Sequence, residues 1–91
     1  MKIVSPLRVG SVVLIRTVTN YYTGEIALLS PSEIVLKSAA WIASTGRYAA
    51  ALEKGTLDEV EPYPGTGVVS VSRQAIVDVA PWSHPLPREV K

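Results

Sequence analysis

His84 is the only histidine in the chain, and histidine is the residue most often used as a general base. A nucleophilic site would set it against Ser83 or another hydroxyl and would need a carboxylate to orient the ring. Between Ser83 and Pro85, in a proline-rich stretch, it has no rigid frame, and an imidazole packed in or exposed on a tail is the simpler account. With no cysteine and one histidine, no conventional transition-metal ligand set is available. Glu53, Asp58, Glu59 and Glu61 cluster, but their spacing is not that of a calcium loop, and a solvated charged loop explains them. Gly65-Thr66-Gly67 lacks the lysine and helix of a phosphate-binding loop. No catalytic residue, metal ligand or cofactor site is therefore expected, and the chain does not read as an enzyme.

Binding chemistry has two candidate sources. Arg16, Lys37 and Arg73 lie on or between expected strands, with Tyr21, Tyr22 and Trp41 in the same pattern; cations interleaved with aromatics can bind single-stranded nucleic acid by stacking and phosphate contact. Arg16, Lys37, Arg73 and Tyr21 are the candidate nucleic-acid contacts. The second source is the tail, where Trp82 followed by Pro85, Leu86 and Pro87 offers a large apolar anchor on a stiff arm that is cheap to order. The alternative is that Trp82 folds back onto its own domain. Trp82, Pro85 and Leu86, with Val69 and Val71 on an expected strand edge, are the candidate contacts with neighbouring subunits.

The elements that must position these residues belong to one small domain. A chain of 91 residues buries only roughly 60–65% of the surface its unfolded form exposes. Disulfides are excluded and a metal is not expected, so a partner subunit is the remaining common source of stability. The apolar fraction of 47% points the same way, because a monomer of this size has difficulty hiding so much apolar surface. The net charge of +1 lacks the basic excess of a dedicated duplex binder. The N-terminal residues lack the apolar core of a signal peptide and no run is long enough to cross a bilayer, so a cytoplasmic protein with no membrane partner is expected.

Strand-like runs occupy 11–18, 21–29, 33–42, 68–72 and 75–79, rich in β-branched residues and separated by turn chemistry. Gly24 inside the second run suggests a bulge or sharp bend. A short helix is expected at 47–54, capped by Ser44 or Thr45 and closed by Gly55; Tyr48 and Leu52 share its docking face. Residues 55–67 read as a loop. The expected architecture is mostly β: a five-stranded barrel domain over 1–80, with a helical insertion at about 45–55 between the third and fourth strands, and an extended, proline-rich C-terminal tail over 81–91. Several strands are apolar on both faces, so the second face must be covered by the helix, the tail or a neighbouring subunit.

Val9-Gly10 leading into the first strand, the Gly24-bent second strand and Ile34-Val35-Leu36-Lys37-Ser38-Ala39 resemble the first motif of the Sm-like superfamily, whose small barrels are related to the SH3-like class. Val69-Ser70-Val71-Ser72-Arg73-Gln74-Ala75-Ile76-Val77 resembles the second motif. The resemblance implies a small barrel and a ring-like homo-oligomer. RNA-binding members carry an aspartate and an asparagine near the second turn and an Arg-Gly pair in the last hairpin; here those places read Ser30-Pro31-Ser32 and Arg73-Gln74. The chain is also similar to small proteins of tailed bacteriophages, through Ala39-Ala40-Trp41-Ile42, Thr45-Gly46-Arg47, Glu59-Val60-Glu61-Pro62-Tyr63-Pro64 and Pro81-Trp82. That likeness implies only a viral context, which sets synthesis in a host cytoplasm and admits a place in a virion. The combined expectation is a non-catalytic, self-assembling structural subunit contacting itself and other virion proteins through strand edges and the tail. The alternative is an Sm-like, Hfq-like nucleic-acid-binding regulator encoded by a phage.

Overall fold

β-branched and aromatic residues set the strands of the first half of the chain. In the computed structural model, which describes residues 2–91, they form β1 (Val12–Thr17), β2 (Tyr21–Leu29) and β3 (Glu33–Ser44). The helix α1 (Tyr48–Lys54) follows, then β4 (Glu59–Pro62), β5 (Val69–Ser72), a 3-10 turn (Arg73–Ala75) and β6 (Ile76–Pro81). All pairings are antiparallel. The sheet runs β4-β3-β2-β1-β6, with β5 also on β3. Among the described residues six strands are present rather than five. β4 lies in the stretch expected to be a loop, because Glu59-Val60-Glu61-Pro62 holds one buried apolar residue and runs into Pro62 and Pro64. Its position at the edge of β3 tolerates the terminal Pro62.

The turn between β1 and β2 is closed by side chains. Thr17 Oγ1 donates to the Asn20 carbonyl at 2.8 Å, and the Asn20 N–H donates back to Thr17 Oγ1 at 3.2 Å. The bend foreseen at Gly24 is present, with the extra residue on the partner strand. Thr23 pairs with Ala40 and Glu25 with Lys37, so Gly24 faces both Ser38 and Ala39. A Cβ on Gly24 would sit 3.0 Å from the Leu36 Cβ, too close for a well-packed strand pair. Ser38 takes a left-handed backbone, φ 52°, rare for a residue other than glycine. The loop after β4 satisfies this break: the Ser38 and Ala39 N–H groups each donate, at 2.9 Å, to Thr66 and Gly67 carbonyls. The bulge lets one strand serve two partners on the same edge, β5 along Glu33–Leu36 and β4 along Ala40–Ser44.

Both faces of the sheet are apolar, and each has its own core. Val13, Ile15, Ile26, Ile34, Leu36, Ala39 and Val71 form the first. Leu14, Ala40, Ile42, Ala51, Leu57, Val60 and Trp82 form the second, flanked by Tyr48, Leu52 and Leu86. β1 therefore sends Val13 and Ile15 one way and Leu14 the other, as strand alternation requires. The second face is covered from within the chain, by α1 and the residues after β6.

Gly55 closes α1 as expected, at φ 77° with its N–H donating to the Ala51 carbonyl. The expected cap does not form. Arg47 precedes the helix without a side-chain cap bond, because Ser44 and Thr45 spend their hydroxyls on the Gly46 turn: Ser44 Oγ accepts from the Gly46 N–H, and Thr45 Oγ1 donates to the Gly46 carbonyl. The sheet does not close into a ring. β5 pairs with β3 and β6 with β1, but among the described residues no ladder joins β5 to β6. A 3-10 turn links them directly in the chain.

Candidate functional site

The tail folds back instead of projecting. The Trp82 N–H donates to the Val12 carbonyl at 2.9 Å, which turns the indole into the second core, where it is 3% exposed. His84 packs edge-on against that indole, with ring centroids 4.9 Å apart. Its Nε2 lies 2.8 Å from the Leu52 carbonyl, near the C-terminus of α1. This is a structural job for the one histidine: the ring latches the tail to the helix. Farther on, Lys91 and Val60 exchange main-chain hydrogen bonds, both 2.9 Å, so the tail covers the outer edge of β4. Grooves of ≈ 360 Å³ and ≈ 450 Å³ flank residues 86–90. Of the expected partner contacts, Trp82 and Val71 are buried in the cores, Leu86 and Val69 are half-buried against them, and Pro85 is exposed.

The expected nucleic-acid contacts are not brought together. Arg16 Nε donates to Asp78 Oδ2 at 3.0 Å, Nη2 bonds the same oxygen, and the guanidinium lies 5.9 Å from the Tyr48 ring centroid. The hydrogen bond and charge of Asp78 raise the Arg16 pKa further. Tyr21 stacks on Tyr48 at 5.8 Å, and burial, followed by the Asp78 charge, pushes the Tyr48 phenol up. Lys37 faces Glu25 at 3.4 Å, and Arg73 Nε donates to the Ser30 carbonyl at 3.0 Å. Arg16 pairs with Tyr21, and Lys37 with Glu25, which puts them some four residues apart along β2, roughly 13 Å. Each cation is held within its own chain, and they do not form a continuous basic track.

Two surfaces stand out. The first is a pair of strand edges. β5 and β6 each pair on one side only, and among the described residues no main-chain bond reaches their other sides. Neither carries the lysine or interior proline that commonly blunts such an edge. The second is the part of the first face that lies beyond the first core. Tyr22, Trp41 and Glu61 stand side by side on β2, β3 and β4. Trp41 is 37% exposed, and with Glu61, Pro62, Tyr63 and Pro64 it lines a groove of ≈ 230 Å³. Tyr22 and Tyr63 rings lie 6.4 Å apart; burial, then the neighbouring Tyr22, raises the Tyr63 pKa. Alternation on β4 puts the exposed Glu59 on this face as well, opposite buried Val60.

Among the described residues no group of three or more potential metal-ligating side chains converges, and no helix is long and apolar enough to cross a membrane. No family model matches the chain, and neither a curated protein nor a solved structure matches it.

Proposed function

We propose that the protein is a non-catalytic, self-assembling structural subunit, built as a partly open Sm-like barrel, that joins its neighbours edge to edge. The observation that carries this reading is the pair of open edges on β5 and β6. An unpaired edge is a row of backbone donors and acceptors, and a strand from another chain is its natural complement. Because the two edges belong to different strands, β5 of one copy meets β6 of the next. Such a head-to-tail contact closes into a ring or continues as a filament. The similarity of sequence to small phage proteins gives this assembly its setting, a virion or a related particle with other virion proteins as further partners. The tail contributes through its exposed stretch around Pro85, since Trp82 already serves its own domain.

Light scattering on nucleic-acid-free protein across a range of concentrations tests this. A multimer of the 9.8 kDa chain is expected. Ser72→Lys with Val77→Lys, two exposed positions on β5 and β6, should reduce it to monomer while the fold persists, because facing like charges oppose strand pairing. A monomeric wild type at all concentrations would overturn the reading. The nucleic-acid alternative predicts instead salt-dependent binding lost on substitution of Arg16, Lys37 or Arg73.

A further inference from the structure

The residues before β1 and the Trp41 face are unpartnered in complementary ways. Residues 2–9 (KIVSPLRV) form no helix or strand. Ile3 is 85%, Val4 54% and Val9 65% exposed. Lys2, Arg8 and Arg16 are the only charged residues before Glu25, so the segment is purely basic. It is anchored at its far end, where Leu7 packs on the first core and the Gly10 N–H donates to the Ile26 carbonyl at 2.8 Å. Beyond that anchor, residues 2–6 can extend roughly 17 Å. The Trp41 face is the reverse: an aromatic groove bordered by carboxylates. Glu59 and Glu61 are exposed, and among the described residues neither they nor Lys2 and Arg8 form an ion pair.

We infer that the N-terminal arm of one copy docks on the Trp41 face of a neighbouring copy. This rests on the self-assembly reading and adds a second contact to it. Ile3 and Val4 cover Trp41 and Tyr63, and an extended backbone lies flat against an aromatic groove at little steric cost. Lys2, on the free part of the arm, faces Glu59 and Glu61, while Arg8 at its anchored root adds basic charge to the approach, and charges of opposite sign at the rim fix the arm's direction and hasten encounter. A second copy is the fitting occupant because the chain itself supplies both halves of the match, while its own arm runs out into solvent.

A charge-exchange experiment on the full chain tests this. Glu59→Lys with Glu61→Lys, and separately Lys2→Glu with Arg8→Glu, alter only exposed side chains, so both proteins should fold. Each alone should self-associate at least tenfold more weakly by light scattering, and an equimolar mixture should recover the wild-type mass. Acrylamide should quench Trp41 more in either variant than in the wild-type assembly. If the wild type assembles and both variants match it, arm docking is overturned and edge pairing stands. If the wild type is a monomer, both are overturned. A monomer in which Trp41 is shielded until the arm charges are reversed would mean that the arm folds onto its own face, which also overturns the proposal.

Discussion

The two tryptophans occupy the same sheet and have opposite fates. Trp82 is sealed in the second core by α1 and the tail, whereas Trp41 stands at the margin of the first face, 37% exposed. The difference lies in what the chain places over each face, since both residues are equally apolar. After β3 the chain turns through Gly46 into α1 and later returns as the tail, so the second face receives two layers of cover. The first face is covered by Val69 and Val71 of β5, Ile76 and Val79 of β6, and single residues from loops, Leu7 and Tyr63. That coverage stops short of Trp41. Apolar content therefore does not by itself say how much surface is left for partners; one of the two sheet faces is satisfied inside the chain.

The sharpest way to break the comparison is to truncate each tryptophan. Trp82→Ala should cost about 3–5 kcal/mol, since it removes the centre of the second core and releases the tail. Trp41→Ala should cost no more than about 1 kcal/mol while weakening self-association. Denaturant midpoints read the first effect and light scattering the second. If the two variants are equally destabilised, the two faces do not differ in the way described.

Gly55→Ala comes next. It places a side chain at φ 77°, with its Cβ 2.7 Å from the His84 Cγ. The left-handed backbone costs about 1–2 kcal/mol, and the clash dislodges the latch. The expected result is a lower denaturant midpoint together with faster amide exchange at Trp82 and Lys91, but no change at Trp41. The smallest effect concerns the phenols. Burial raises Tyr48 and Tyr63 above the ordinary value of 10.0, so the folded state holds their protons longer than the unfolded state does. The resulting stability is complete below that value and is lost as pH rises through the higher folded values. Tyr48→Phe and Tyr63→Phe should each flatten the alkaline fall of the denaturant midpoint, which a pH series of unfolding curves would show.

Much of the fold was legible because its signals are local. Val12–Thr17, Tyr21–Leu29 and the left-handed cap at Gly55 follow from β-branched runs, turn residues and glycine. β4 was not legible, since one buried valine between two glutamates has no pattern of its own and becomes a strand only by pairing with β3. Sequence also left open where Trp82 would lie. Its place depends on a main-chain bond to Val12, at the opposite end of the chain from the tail. Residue type marks the candidate contacts, but type does not reveal that Arg16 is already bound to Asp78 or that Arg73 holds the Ser30 carbonyl. Residue type marks Trp41 as an aromatic near cations, yet on the sheet it stands between Tyr22 and Glu61, the latter supplied by the strand that the sequence does not reveal.

The left-handed Ser38 has a consequence for how the molecule comes apart. It allows β3 to contribute Ile34 and Leu36 to one core and Ala40 and Ile42 to the other, so neither core can be lost without disturbing the shared strand. Of its three partner strands, β5 joins it only after α1 and β4 have been made, so its completion is a long-loop event in folding. Heating should accordingly give a single transition, with the amides of β3 exchanging only through global opening, although the protein is built around two separate interiors.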